Sequence, residues 1–453
     1  MTIFEGSNLY TIEDGDVIGM PTSTMRRYLD VTERFRGDPS RCVHLHHLMA
    51  ACELREPYNF DALRYALHGI IGSNPALRAF FLRGEQGWIQ VIKRSINFLI
   101  ESHDVRPSGD FENDIVDTLV NINETPFDLT SGGPLFKIFM ITIGDRRALV
   151  WKIHHVLIDG FSLQILVRSF VERYVNFIAG ERAPIQIVEP TDYLRFADNE
   201  AVWLGEAEVE RRLVWWATHL KEQPQLAVPW HESKRREGVL ETIGLSYDDV
   251  KIQALKDYAK AIKCHISHVI AGVFVRALVE QFVCDDMLVC FQVLNRKKSN
   301  FNAVADITDL LLLRCPQPME NGCREWSMEV RDQVALSQSN IVPYWEIVKY
   351  VDGERVFAPM GLSPFLFNFY TLDEVPSVSQ LGVVPLATKP LRTHCVIFDI
   401  LCNVIVRRAS DGDVMDVHLR YNSPEVESSK AQAIAHKIQV ALAGIMKFQL
   451  EPA

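Results

Sequence analysis

Apolar and polar residues alternate along the early part of the chain in a way that predicts a strand followed by a helix. The run "VHLHHLMAACELRE" at 43–56 has the alternation of a half-buried strand. After the turn at Glu56-Pro57, apolar residues recur every three or four positions. These residues predict a helix with one buried side, formed by Leu63, Ala66, Leu67, Ile70 and Ile71. We expect this helix to end at Asn74-Pro75, because a residue that precedes proline disfavours the helical conformation.

The same alternation of predicted elements continues through the second half. Long stretches with one apolar face predict helices, and shorter apolar runs rich in β-branched residues predict strands. The predicted elements there are a helix at 205–221, a helix at 263–283, a strand at 287–296, a strand pair at 398–408 and 414–422, and a terminal helix. The order of strands and helices indicates an α/β protein.

A segment rich in glycine, proline and charged residues, "AGERAPIQIVEP" at 179–190, interrupts this pattern. Such a composition is typical of a connection between compact regions. A chain of 453 residues is also long enough for more than one core. We therefore expect two α/β lobes of comparable size, one over 1–183 and one over 184–453.

The stretch "ALVWKIHHVLIDGFSLQILVRSF" at 148–170 places polar residues where a buried strand ends. Successive side chains on a strand point to opposite faces, so His154 and His155 are not expected to face one cavity. One imidazole can therefore meet a substrate while the other packs inside the protein.

A turn and a helix follow these histidines. Ser162 stands where a helix N-cap is expected, and Gly160 allows close approach of the backbone to a ligand. Asp159 lies among apolar neighbours, and a buried carboxylate needs a cationic partner or several donors. An imidazole, a backbone amide and a helix N-terminus near each other could deprotonate a nucleophile and stabilise an oxyanion.

A structural explanation of adjacent histidines is also open, since both could be hydrogen-bonded core residues. The chain contains two comparable clusters, "HLHH" at 44–47 and "CHISH" at 264–268. Neither is followed by Asp-Gly, and the second lies in a predicted helix without a nearby second ligand pair. We interpret both clusters as structural and expect no metal site.

Composition narrows the possible functions. The net charge of −11 argues against a nucleic-acid surface, which needs a clustered basic face, and an acidic partner would need a local basic patch. No apolar run reaches the length of a membrane span, and the first residues do not have the pattern of a secretory signal. The nine cysteines are scattered without a CxxC pair, as expected of reduced thiols in a cytoplasmic protein.

The spacing His154-His155-xxx-Asp159-Gly160-x-Ser162 resembles the HHxxxDGxS signature of condensation domains of nonribosomal peptide synthetases. The wider superfamily of these condensation domains includes chloramphenicol acetyltransferase and wax ester synthases. Further segments resemble the family's other motifs in the same order: "NPALRAFFL" at 74–82, "PFDLTSGGPLFKIFM" at 126–140, "WWATHLKEQPQLAVPW" at 215–230, "VLNRKK" at 293–298, "DITDLLLLRCPQ" at 306–317, "NIVPYWEIVKYV" at 340–351, "SPFLFNFYTLDE" at 363–374 and "HLRYNSPEVE" at 418–427. The resemblance extends from about residue 20 to about residue 445.

The resemblance implies a fold of two chloramphenicol-acetyltransferase-like lobes in a V-shaped pseudo-dimer with a tunnel between them. Phosphopantetheine arms of acyl or peptidyl carrier proteins would enter this tunnel, and no cofactor would be bound to the chain itself. His155 would be the general base, and Gly160 would offer its backbone N–H near the thioester. Ser162 and Asn368 would line the tunnel.

The resemblance also implies that Asp159 is structural and is held by an arginine from the second half. Arg296 is the first choice and Arg314 the second. The chain departs from the family pattern around this region, because Ala305 and Asp306 replace an expected glycine and its neighbour, and Asp309 replaces an asparagine. These differences lie near docking and tunnel-wall segments of the family and bear on the substrate more than on the chemistry.

We therefore expect a free-standing cytoplasmic condensation enzyme of secondary metabolism, such as antibiotic biosynthesis. It would transfer an acyl group from a carrier thioester to an amine or alcohol, forming an amide or an ester, without nucleic-acid or membrane partners. Two alternatives stay open: an acyl-CoA-dependent O-acyltransferase of the wax ester synthase type, and a non-catalytic recruitment module with this fold.

Overall fold

The computed structural model describes residues 2–5, 8–11, 15–34, 46–85, 87–95, 98–129, 132–221, 239–318, 322–351, 362–373, 378–386, 398–408, 412–423 and 426–447. Helices and strands alternate through these residues, which confirms the predicted α/β class. The chain divides into two compact units.

The first unit consists of Met1–Gly205 together with two later segments, Leu294–Thr308 and Val375–Thr393. It therefore extends beyond the predicted lobe 1–183 and includes chain from the predicted lobe 184–453. The difference arises because long-range contacts, which local composition does not report, decide where a compact unit ends. The second unit contains Glu206–Val293, Asp309–Glu374 and His394–Ala453.

Ten described strands form the sheets of the first unit. They are β1 Thr2–Glu5, β2 Asn8–Thr11, β3 Val17–Gly19, β4 His47–Leu54, β5 Ala79–Gly84, β6 Gly87–Ile92, β7 Ile100–Val105, β8 Phe136–Ile143, β9 Arg146–His154 and, from a later segment, β14 Val383–Pro385. The largest sheet has the order β14-β4-β9-β8-β7, in which only β7 and β8 run parallel. Smaller sheets have the orders β3-β6-β5 and β1-β2.

Five described helices belong to the first unit, and the buried face predicted for one of them is confirmed. They are α1 Ser23–Arg34, α2 Phe60–Ser73, α3 Phe111–Glu124, α4 Gly160–Ile178 and α5 Thr191–Leu204. The five apolar residues predicted for the buried face of α2 are all buried, and the helix ends directly before Asn74-Pro75. On α3, Ile115, Leu119 and Ile122 pack in one cluster with residues of β8 and β9.

The second unit has one six-stranded sheet and six described helices. Its strands are β10 Val239–Tyr247, β11 Asp286–Val293, β12 Asp309–Pro316, β13 Phe365–Leu372, β15 Ile400–Arg407 and β16 Val414–Ser423, in the order β10-β16-β15-β13-β11-β12. Its helices are α6 Ala207–Lys221, α7 Asp249–Ala261, α8 Ile266–Phe282, α9 Cys323–Ser339, α10 Tyr344–Val351 and α11 Ser428–Met446. The predicted helices at 205–221 and 263–283 and the predicted strand pair are confirmed.

Helix α8 lies in the core of this unit. Most of its residues are buried, including Phe274 and Leu278, and they pack with strand residues and with Trp326 of α9 in a single hydrophobic cluster. Among the described residues, no single helix is long and apolar enough to cross a membrane. Helices α7 and α8 pass such a test only when taken together, and they meet at an angle of 91°.

Candidate active site

The site begins where β9 ends and α4 starts. Asp159 is the N-cap of α4, and its Oδ1 accepts a hydrogen bond of 2.7 Å from the backbone N–H of Ser162. The predicted N-cap was Ser162, and that prediction is wrong by three residues. The carboxylate at Asp159 can accept from the free N–H groups of the first turn and also lies favourably at the positive end of the helix dipole.

The Leu294–Thr308 segment surrounds the Asp159 carboxylate with donors. Arg296 Nη2 lies 2.8 Å from both carboxylate oxygens, and the backbone N–H groups of Ile307 and Thr308 each donate to Oδ2 at 3.2 Å. Both charged side chains are almost completely buried. Burial by itself raises the pKa of Asp159, but the Arg296 guanidinium and the hydrogen bonds of Ser162 hold it below its usual range.

The predicted ion pair between Asp159 and Arg296 is therefore present. Arg314, the second choice, pairs instead with Asp286 at 2.6 Å and donates to the carbonyl of His219. Strand β12 carries Arg314 in register with Leu288 of β11, inside the second unit, where Asp286 is the near carboxylate.

Ser162 is enclosed rather than open to a ligand. Its side chain is completely buried, its hydroxyl accepts from Arg296 at 2.9 Å, and it donates to the carbonyl of Ala305 at 2.8 Å. The backbone N–H of Ala305 returns a hydrogen bond of 3.1 Å to the same oxygen. These contacts differ from the predicted tunnel-lining role, because the hydroxyl is already used to hold the Leu294–Thr308 segment against α4.

His154 is the interior member of the histidine pair. It is the last residue of β9, it is completely buried, and its Nδ1 accepts a hydrogen bond of 3.0 Å from the backbone N–H of Val156. Its ring lies edge-on to His47, which is its register partner on β4. Residues 44–45 of the "HLHH" cluster lie outside the described residues.

His155 is the member that reaches the surface. It follows the last residue of β9, and its side chain is 15% exposed. Its backbone N–H donates to the carbonyl of His46 at 2.9 Å, and its Nδ1 lies 3.1 Å from the hydroxyl of Tyr28. Among the described residues, Nε2 of His155 has no hydrogen-bond partner.

Three neighbours of His155 were not predicted as site residues: Tyr28, His46 and Asp306. The Tyr28 ring stacks near that of His155, with ring centroids 5.7 Å apart, and the His46 ring lies closer, at 4.5 Å. Asp306 Oδ1 lies 3.7 Å from His155 Nδ1. Of the three, only Asp306 had a signal in the sequence, as one of two carboxylates inside the apolar run at 304–313.

Burial determines the charge of two of these neighbours. Burial, with the adjacent His155 and His154 rings, holds the pKa of His46 well below its usual range, so that this imidazole is neutral. Burial raises the pKa of the Tyr28 hydroxyl, and the Asp306 carboxyl adds to this effect. The phenol therefore keeps its proton and can both donate and accept a hydrogen bond.

Gly160 is the first residue of α4 and is exposed. A Cβ atom added at this position would meet nothing within 4 Å. The fold of the described residues therefore does not itself require glycine here, and the open space lies at a helix N-terminus, where backbone N–H groups favour a negatively charged oxygen.

The remaining predicted site positions lie in the second unit. Asn368 lies on β13 in the second unit, in register with Asn403 of β15, and its substrate role stays a prediction. His265 is the N-cap of α8, which fits the structural interpretation of "CHISH". Over the described ranges, no group of three or more histidine, cysteine or acidic side chains could hold a metal ion.

A comparison with protein families matches residues 40–449 to the condensation domain. This chain belongs to the condensation-domain family. A linear gramicidin synthase of Brevibacillus parabrevis is 23% identical over 414 residues, which are 89% of this condensation-domain chain but only 5% of that relative. The chain thus spans about a twentieth of the length of such a synthase.

Solved structures of the same fold cover nearly all of the chain. The first condensation domain of the calcium-dependent antibiotic synthetase, solved with a substrate analogue, is 17% identical with a TM-score of 0.72 and covers 95% of this chain and 96% of its own. The X-domain from teicoplanin biosynthesis is 17% identical with a TM-score of 0.74 and covers 97% of both chains. The predicted family and the predicted fold, related to chloramphenicol acetyltransferase, are therefore confirmed.

Proposed function

We propose that this condensation-domain chain transfers an acyl group from a carrier-protein thioester to an amine or hydroxyl acceptor, in the biosynthesis of a secondary metabolite. The observation that carries the proposal is the state of His155. Its Nδ1 lies beside the Tyr28 hydroxyl, its ring reaches the surface, and its Nε2 has no partner among the described residues. An imidazole held in this way fits the role of a general base.

In the proposed reaction, Nε2 of His155 takes the proton of the acceptor as the acceptor attacks the thioester carbonyl. A positioned base contributes about 10²–10⁴-fold to such a step. Backbone N–H groups at the start of α4, beside exposed Gly160, would stabilise the negative charge that develops on the carbonyl oxygen. Asp159 would not react, because Arg296 and three backbone N–H groups already occupy its carboxylate.

The partner follows from the family and the chemistry of the donor. A thioester on a phosphopantetheine arm can reach a partly buried base without release of the acyl group, and binding of both reactants together lowers the barrier by about 7–11 kcal/mol. The chain itself would need no bound cofactor. That it acts as a free-standing cytoplasmic enzyme stays a prediction of the sequence.

The proposal is tested with carrier proteins loaded with candidate acyl groups. The purified chain and a panel of amines and alcohols are added, and intact-mass analysis follows the loss of the acyl group from each carrier. His155→Ala is expected to reduce turnover by at least about 10²-fold. The matched control is His436→Ala, because His436 is exposed on α11, and this variant should retain full turnover.

Three results would contradict the proposal. Turnover of the His155→Ala variant above a tenth of wild type would remove the assignment of the base. Efficient use of acyl-CoA, with no use of any loaded carrier, would favour the O-acyltransferase alternative. Binding of carriers without turnover of any acceptor in the panel would favour a non-catalytic recruitment module.

A further inference from the structure

Asp306 is a buried carboxylate beside the proposed base, and the proposed acyl transfer does not itself require it. It is 1% exposed, and its Oδ1 lies 3.7 Å from His155 Nδ1. Its Oδ2 is buried and has no hydrogen-bond partner within the described part of the chain. Burial raises the pKa of Asp306, and the nearby His155 opposes this effect. A carboxylate held at such a position is unfavourable for folding, so a functional reason is needed.

The other ionisable groups around His155 do not replace this carboxylate. His46 and His154 are imidazoles, and Asp159 is taken up by Arg296. Arg27 is the nearby cation, and its Nη2 donates to the Tyr28 hydroxyl at 3.1 Å. Tyr28 keeps its proton, so Asp306 is the acidic side chain that faces Nδ1 of His155.

The Tyr28 hydroxyl alone does not decide which ring nitrogen of His155 carries the proton. It can donate to Nδ1, which would place the proton on Nε2 and block the base, or it can accept from a protonated Nδ1. A carboxylate 3.7 Å from Nδ1 favours the second arrangement, because it attracts the proton to that nitrogen. The hydrogen bond from Arg27 holds the Tyr28 oxygen beside the ring but does not select between the two arrangements, so Asp306 is the group that does.

We propose that Asp306 is a positioning residue that keeps the proton of neutral His155 on Nδ1, so that Nε2 can accept a proton from a hydroxyl acceptor. The inference rests on the proposed function and narrows its acceptor class. An alcohol is a poor nucleophile at neutral pH unless a base takes its proton during attack, whereas an amine can attack as the neutral species. A positioned and strengthened base is therefore of most use for ester formation.

Ester formation would begin with proton transfer from the acceptor to His155. The acceptor O–H bond breaks, its proton passes to Nε2, and the acceptor oxygen bonds to the thioester carbonyl carbon. The resulting imidazolium lies beside the Asp306 carboxylate, which stabilises its charge. The C–S bond then breaks, and the departing sulfur takes the proton from Nε2. The products are an ester, a carrier thiol and neutral His155.

The first test is a spectroscopic measurement that needs no turnover. In protein labelled with ¹⁵N-histidine, the nitrogen shifts of His155 report which nitrogen carries the proton, and His155→Gln identifies the signals. The wild type is expected to show the Nδ1–H form. Asp306→Asn should shift the population toward the Nε2–H form. An unchanged tautomer in Asp306→Asn would overturn the proposal even if the chain proves to be an acyltransferase.

Asp309→Asn is the matched control. Asp309 is a buried carboxylate of the same run, and its side-chain oxygens accept from the backbone N–H groups of Leu310 and Tyr344, which an asparagine oxygen can still do. This variant is expected to leave the His155 signals unchanged. A change as large as that of Asp306→Asn would show that the signals report any loss of charge in the segment, and would overturn the assignment to Asp306.

The second test separates positioning from folding. With a hydroxyl acceptor, Asp306→Asn should lower kcat by about 10²-fold or more, as the wrong tautomer does in other carboxylate-held imidazoles, while KM stays within about twofold. The melting temperature should be unchanged or higher, because the variant removes a poorly solvated charge. Asp306→Ala is the second variant and should behave alike. A loss of several degrees in both variants, or full kcat in either, would make Asp306 structural and overturn the proposal.

Discussion

Asp159 shows how a buried charge can be read from sequence and then located in the structure. The carboxylate follows an apolar run, so the sequence predicts a cationic partner, and Arg296 supplies it across 137 positions of the chain. Tyr28, His46 and Asp306 could not be predicted in the same way. They lie in a helix, directly before a strand and in an apolar run, and only long-range contacts bring them to His155. A local pattern contains no signal for such contacts.

Replacement of Asp159 should destabilise the protein. Asp159→Asn leaves the buried Arg296 guanidinium without its counter-charge, and removal of one partner of such a pair costs about 3–5 kcal/mol. The change is measured as the free energy of unfolding in urea and as the melting temperature. Asp192→Asn is the control, since the Asp192 side chain is 90% exposed and pairs with Arg195 at 3.1 Å on the surface. A melting temperature equal to wild type in the Asp159 variant would contradict a structural ion pair.

The same pair predicts how stability depends on pH. The pKa of Asp159 lies lower in the folded protein than in the unfolded chain, where it is near 3.9. Its contribution to stability is therefore complete above about pH 5 and is lost as the pH falls through the unfolded and then the folded value. The difference in unfolding free energy between wild type and Asp159→Asn should be constant from about pH 5 to 7 and shrink in more acidic buffer. A difference that grows below pH 4 would contradict this assignment.

Gly160 should matter for turnover and not for folding. A side chain at this exposed position meets open space, so Gly160→Leu is expected to change the free energy of unfolding by less than about 0.5 kcal/mol. It should nevertheless reduce kcat strongly, because the leucine would fill the space beside the proposed thioester. Gly444→Leu, at another open helical position, is the control for both measurements. Normal turnover of Gly160→Leu would place the thioester elsewhere.

At the scale of elements, the strongly periodic segments were predictable and their contacts were not. The apolar positions of α2 predict a helix because burial of one face needs a repeat of 3.6 residues. The apolar residues of α8 are numerous enough to bury nearly the whole helix. From the sequence alone, Gly272 is expected to destabilise α8, because glycine has a low helix propensity. In the structure it lies against the backbone of α9, where an added Cβ would be 2.7 Å from the backbone nitrogen of Ser327. This glycine therefore allows the two helices to pack closely.

The close contact of Gly272 with α9 predicts that alanine at this position lowers stability, whereas helix propensity alone predicts that it raises stability. Alanine is favoured over glycine within a helix by about 1 kcal/mol, but Gly272→Ala forces α8 away from α9, and overpacking of this kind costs about 1–3 kcal/mol. We expect a lower melting temperature for Gly272→Ala. Gly444→Ala, which meets nothing within 4 Å, should be neutral or stabilising. If both variants gain stability, the close contact between the helices is not a constraint.

At the scale of the whole molecule, the two units are not consecutive pieces of chain. The sequence predicts two α/β lobes, and the structure has two compact units. The first unit, however, includes Leu294–Thr308 and Val375–Thr393 from the second half of the chain. These segments supply Arg296 and strand β14, and β14 pairs with β4 at the edge of the main sheet. Local composition can indicate loops and boundaries along a chain. It contains no information on which later segments pack with an earlier unit.

This connectivity predicts that the first contiguous piece does not fold as the intact chain does. A fragment of residues 1–205 would leave the Asp159 carboxylate without Arg296 and the edge of β4 without β14. We expect it to unfold without a cooperative thermal transition when followed by circular dichroism, while the full chain melts cooperatively. A fragment that melts sharply near the temperature of the full chain would show that the recruited segments contribute little.

The return of the Leu294–Thr308 segment has a consequence for protein engineering. A chimaera that joins two members of the family at residue 205 would take His155 and Asp159 from one parent. Arg296, which pairs with Asp159, would come from the other parent. Ser162 and Ala305, which bond to each other twice, would also come from different parents. Exchange of specificity between such proteins would therefore succeed more often if residues 294–308 and residues 1–205 are taken from the same parent.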